Sequence, residues 1–209
     1  MTEGTCKAHF FIGGLIALFL GCNDSNQKQP QPNPPFLGYW LPMFQEGDVI
    51  FRHGIGAVSD WINYKQSSAI HVSHTGIVVN LNKKWVIIHS ISGMLDAEDG
   101  VQVSSIEQFL REAKPNTVFI LRPNLSKKNR KAAAKKALLC LKKGIRFDHQ
   151  FNPNDSSKLY CSELIFYCYS HAGKQWSSQN PTTDFQILTD SSLGKLIAPS
   201  IPWKETRVH

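Results

Sequence analysis

Three side chains in this sequence are of the types that move protons and attack carbonyl carbons: Cys161, His74 and His89. A free thiol with a pKa of about 8.5 is only a few per cent ionised at neutral pH. A cysteine nucleophile therefore needs a base beside it or a field that favours thiolate. Cys161 lies in residues 158–173, KLYCSELIFYCYSHAG, where Cys161, Ile165, Cys168 and Ala172 recur at helical spacing. Leu164 and Tyr169 widen that stripe, and Gly173 supplies a left-handed stop. The pattern predicts a half-buried helix with the thiol in its first turn. Unpaired N–H groups and the positive end of the helix dipole favour thiolate there. The competing reading is a core cysteine, since free Cys is among the most buried residue types.

The histidines gain meaning from a hairpin. Residues 75–80 and 84–90 are two β-rich runs separated by a polar connector. In an antiparallel pair, opposed residues have a constant sum of numbers and share a face. A four-residue loop, 80–83, sets His74 directly opposite His89. A two-residue loop, Asn82-Lys83, shifts them by one diagonal place and keeps them on one face, whereas an odd loop separates them. On one face the rings can hydrogen-bond, one acting as base and the other fixing its tautomer. A plain cross-strand pair is the alternative. A zinc site built from His71, His74, His89 and a cysteine is another, but extended His71 and His74 point to opposite faces and no CxxC supports it. The expectation is no metal and no cofactor.

Other elements must position these groups. Residues 47–51 (GDVIF) read as a buried strand, 59–66 as one or two helical turns, and 117–122 as a strand. Ser104-Ser105-Ile106-Glu107 has capping-box spacing and opens a helix over 105–113, ended by Pro115. Ser126 caps a helix reaching Lys143, with Gly144 as its stop. Residues 145–151 are a strand or an extended lead-in, and the chain after Gly173 shows no clear period. This order predicts an α+β fold with an antiparallel sheet.

The 209 residues, 42% hydrophobic and 11% aromatic, suffice for one sizeable core. Residues 1–21 are set apart. Their apolar run, 10–20, is short for a spanning helix of about 20 residues. It ends in Phe19-Leu20-Gly21-Cys22, and the whole resembles a lipoprotein signal peptide with Cys22 as the lipid-modified residue. Residues 22–35 are polar and Pro-rich, a tether, and 36–209 form the domain. The expected address is an exported chain, lipid-anchored to a bacterial membrane and facing the periplasm or exterior. Cys140, Cys161 and Cys168 then remain, an odd number with no disulfide expected. The net charge of +7 is concentrated in residues 127–143, where Ala134, Ala137, Leu138 and Leu141 face inward. The basic side chains form a solvated outer face or are drawn to anionic lipid or cell-wall polymer. Nucleic-acid binding does not fit a tethered, exported chain. Nothing in the sequence fixes an oligomeric state.

Gly47-Asp48-Val49-Ile50-Phe51, then Ser73-His74-Thr75-Gly76-Ile77-Val78-Val79, then Tyr160-Cys161-Ser162-Glu163-Leu164 together resemble the circularly permuted branch of the NlpC superfamily. These are papain-like cysteine hydrolases, and the likeness is to the YiiX-like group, over residues 47–173. Histidine precedes cysteine here, the order that permutation of a papain-like chain predicts. The resemblance implies Cys161 as nucleophile, His74 as base and His89 as third polar residue. YiiX-like proteins usually carry glutamate at the last place, and histidine there is closer to the lecithin:retinol acyltransferase group. Glu163 and Asp48 read as structural, the latter a turn residue before a strand.

The expected activity is a cell-envelope cysteine hydrolase cleaving an amide of the cell-wall peptide class through a thioester. A lipid esterase or acyltransferase using Cys161, His74 and His89 is the second class, and a catalytically silent binding domain the third. The expected partners are a cell-wall peptide or lipid substrate and a membrane reached through the N-terminal lipid.

Overall fold

The computed structural model describes residues 37–66, 70–95, 98–173, 176–190 and 192–197. Residues 1–36, with the signal, Cys22 and the tether, lie outside the described residues. Among those described, no helix is long and apolar enough to cross a membrane.

Six antiparallel strands form one sheet in the order β4-β3-β2-β1-β5-β6. They are β1 Val49–Arg52, β2 His74–Leu81, β3 Lys84–Ile91, β4 Gly100–Ser105, β5 Phe119–Pro123 and β6 Gly194–Leu196. The helices are α1 Leu37–Trp40, α2 Ala57–Tyr64, α3 Ile106–Arg111, α4 Lys127–Lys142, α5 Cys161–Ser170 and α6 Pro181–Leu188. Period-2 alternation gives the sheet two faces. Val49, Ile77, Val79 and Ile88 pack on α4 and α5. Ile50, Val78, Ile87 and Ile120 pack on α3, Trp40 and Phe44. The architecture is α+β, as the strand and helix pattern implies.

The hairpin closes through the two-residue turn Asn82-Lys83, both at positive φ (51° and 66°), with Leu81 opposite Lys84. Positive φ at both central residues marks a type I′ turn, whose twist matches that of the flanking strands. This settles the register in favour of the diagonal arrangement of His74 and His89.

Three expectations need correction. Residues 100–105 form a strand, and the α3 cap is Ser105, whose hydroxyl accepts from the Gln108 N–H at 3.0 Å. Ser104 is therefore freed from capping. On α4 the buried stripe is Ala133, Ala134, Ala137 and Cys140, whereas Leu138 and Leu141 are only half-buried. The chain beyond Gly173 is not aperiodic: Asn180 caps α6, accepting from the Thr183 N–H at 3.0 Å, with Pro181 in its first turn. Segment 145–159 is an extended lead-in, tied by a parallel bridge between Arg146 and Lys158.

Candidate active site

The site forms where the hairpin opens. The β2–β3 ladder runs from the turn as far as Ile77 opposite Ile88 and stops. Beyond it, residues 74–76 and 89–91 form no ladder pairs. The Val78 N–H donates at 2.8 Å to the O of Asp48, the residue before β1, so amides of even-numbered residues on β2 point to β1 and those of odd-numbered residues to β3. Thr75 thus aims its N–H into the gap. There it donates to the Cys161 thiol. On the other side of the gap the Ser90 hydroxyl donates to Leu159 O at 2.5 Å. The segment leading into α5 wedges between the ends of two strands.

α5 starts where it does because Tyr160 is extended (φ −84°, ψ 175°) and Glu163 reaches back to it. The Tyr160 N–H donates to Glu163 Oε2 at 3.2 Å, the reciprocal half of a capping box. Glu163 is thereby structural, and Asp48 likewise: its carboxylate accepts from Arg122 Nε and Nη2 at 2.9 and 2.8 Å. Cys161 occupies the first helical position and is 8% exposed. Its thiol takes N–H bonds from Thr75, Ser162 and Cys161 itself, each of which favours thiolate. Burial outweighs them and pushes the thiol up to about 12, with the Asp184 carboxylate adding to the rise. The helix terminus alone therefore does not ionise the resting thiol.

The two rings lie on the α3 face of the sheet. His74 Nε2 and His89 Nδ1 are hydrogen-bonded at 2.8 Å, with ring planes 85° apart. His89 Nε2 continues to Ser104 Oγ at 2.8 Å. Phe109 of α3 covers both rings at 5.7 and 5.8 Å between centroids. Gly76 lets the strands come this close, since a Cβ there would lie 2.4 Å from Ile87 Cγ2 and 3.1 Å from His89 Cβ. Arg52, on the next strand opposite His74, stacks over Phe109 and pairs with Glu112 at 2.7 Å. Burial first, then the Arg52 charge, holds His74 well below the ordinary histidine range and His89 at about 3. Both rings are neutral at pH 7.

The His74 ring thus lies on the α3 face of the sheet and Cys161 on the α5 face. What links them is the backbone of β2, where the amide of Thr75, the residue after His74, donates to the thiol. No hydrogen bond joins the His74 ring to the sulfur; its Nε2 is taken by His89, which leaves Nδ1 for a thiol proton. His71 is turned away to Asn63 Oδ1 at 3.1 Å. Among the described residues no group of three or more His, Cys, Asp or Glu side chains is placed to hold a metal ion. Arg52 and Asp184 were not singled out from sequence, and Ser104 only as part of a capping box. The alternation Gly100-Val101-Gln102-Val103-Ser104 was the signal that could have placed Ser104 on the histidine face.

The arrangement has recognisable relatives. A crystal structure described as the metalloprotein YiiX from Escherichia coli O157:H7 superposes with a TM-score of 0.54 at 21% identity, covering 74% of this chain and 88% of that one. The likeness is one of fold. No curated protein matches the chain by sequence. The model of the permuted papain-like amidase enzymes, YaeF/YiiX, matches residues 43–206. The strand-borne histidines, the later cysteine helix and this match agree: the chain belongs to the permuted papain-like amidase family C92 and is a cysteine hydrolase.

Proposed function

We propose that the protein hydrolyses an amide of the cell-wall peptide class at the bacterial envelope, with Cys161 as nucleophile, His74 as base and His89 as the residue that orients it. The observation that carries this reading is the continuous chain Ser104–His89–His74, ending one residue from the amide that donates to the thiol. A neutral thiol and a neutral imidazole fit general-base catalysis rather than a preformed ion pair. His74 Nδ1 takes the proton as sulfur bonds to the carbonyl carbon, and the C=O electrons move to oxygen. Collapse of that intermediate expels the amine, which takes the proton from His74. Water, deprotonated by the same ring, then cleaves the thioester to acid and thiol. The Cys161 and Thr75 N–H groups both point to the reacting sulfur and are candidates to hold the oxyanion. Cys22 would carry the lipid that keeps the domain near its substrate.

One feature favours a second reading, an ester or acyl group as substrate. A cavity of about 270 Å³ touches His74 but not Cys161 and is walled by Ile55, Val58, Ile91 and Leu95, with Arg52 and Glu112 at its polar side. Such a cavity fits a hydrocarbon group better than a charged peptide stem. Turnover of muropeptides against phospholipid vesicles, with Cys161→Ala beside the wild type, decides between them. Release of new amine termini only in the wild type supports the first reading, and release of fatty acid replaces it with the second. Turnover of both substrates by Cys161→Ala defeats both.

A further inference from the structure

Asp184 is fully buried, lies in the first turn of α6 and accepts four hydrogen bonds. The Gln179 N–H donates to Oδ1 at 2.8 Å. The hydroxyls of Ser178, Tyr160 and Ser162 donate to Oδ2 at 2.6, 2.8 and 3.1 Å. Two of these donors, Tyr160 and Ser162, are the residues on either side of Cys161. A buried carboxylate is expensive to desolvate unless donors surround it, and this one receives three on Oδ2 and one on Oδ1. Two of its four bonds go to the two neighbours of the thiol.

We propose that Asp184 is a positioning residue for the nucleophile, clamping the first turn of α5 from both sides of Cys161 so that sulfur stays against the Thr75 amide. The inference rests on Cys161 being the nucleophile. The clamp has a second effect of opposite sign, because the carboxylate also disfavours thiolate. The other titratable groups around the sulfur are His74 on β2, His89 on β3, and Glu163 and Tyr160 on α5 and its lead-in. Asp148 and Asp155 act on Glu163 from the preceding loop.

The two effects separate by substitution. Asp184→Asn removes the charge but keeps an oxygen for the Gln179 N–H and an NH2 that can donate to two of the three hydroxyls, which turn to receive it. Asp184→Ala removes the charge and the bonds alike. Two reactions of the full chain are followed against pH: alkylation of Cys161 by iodoacetamide, mapped by mass spectrometry, and the p-nitrophenolate burst from p-nitrophenyl acetate. Alkylation needs only thiolate, whereas acylation also needs the aligned base and oxyanion donors. Both variants are expected to shift the alkylation profile to lower pH. Asp184→Asn should keep the burst within about threefold of wild type, and Asp184→Ala should lower it at least tenfold. A residue that only holds the fold would lower the melting temperature and leave the profile of Cys161 in place. An unshifted profile, or a wild-type burst from Asp184→Ala, overturns the proposal. Should Asp184→Ala fail to fold, the double variant Tyr160→Phe, Ser162→Ala removes the clamp and keeps the charge. Its burst should fall at least fivefold with the profile unmoved, and a wild-type burst refutes the clamp. A burst that survives Cys161→Ala strikes instead at the nucleophile, a distinguishable failure.

Discussion

The two ends of the β2–β3 hairpin are built from the same kinds of residue and do opposite things. At the turn end, Leu81 and Lys84 pair fully, the loop is two residues long and the side chains face solvent. At the open end the ladder stops one step before His89, and the freed polar groups are buried: Thr75 N–H, Ser90 and two imidazoles. Buried backbone and side-chain donors must be satisfied. They are satisfied by the α5 segment on one face and by Ser104 on the other. The candidate site is a piece of sheet whose missing hydrogen bonds have been replaced by a thiol on one face and a chain of rings on the other.

Breaking the open end should have the largest effects. Cys161→Ala is expected to remove hydrolysis by at least about a thousandfold, read as the loss of product in the substrate comparison. His74→Gln should lower kcat by about a hundredfold to ten-thousandfold while the fold persists by circular dichroism. Ser104→Ala leaves His89 Nε2 buried without its partner. It should cost about 1–3 kcal/mol in urea unfolding and lower kcat more than it raises KM. Gly76→Ala forces a methyl against Ile87 and should cost about 1–3 kcal/mol by the same measurement. At the turn end, Lys83→Gly relieves a positive φ and should stabilise by up to about 1 kcal/mol with kcat unchanged.

Acidity probes the same contrast. An unfolded histidine binds a proton near pH 6.5, whereas His89 in the fold resists until about 3. The unfolded state therefore holds more protons in that interval. The stability that the neutral rings allow is complete above pH 6.5 and is lost as pH falls from 6.5 towards 3. Replacing both rings by Gln should flatten that limb of a melting-temperature profile.

Much of this was legible in the sequence because it is local. Helical spacing placed Cys161 in a first turn, and the even loop put His74 and His89 on one face. What was not legible depends on pairing across the chain. Ser104 sits where a capping motif also fits, and only the β3–β4 register, which pairs Ser104 with Ile87, shows it serving His89 instead. The helix terminus suggested an ionised thiol, but burial, a property of the assembled core, has the larger effect. Asp184 is one acidic residue in a polar stretch until α6 folds and delivers it to the neighbours of the thiol.

The gap between β2 and β3 is filled by residues that the ribosome makes long after both strands. Contacts so distant along the chain are slow to close, because loop entropy must be surrendered before they contribute. A partly folded or truncated chain therefore carries histidines with nothing to act on, and reactivity arrives only with the last helices. For a hydrolase, that order keeps an unfinished molecule harmless to whatever surrounds it.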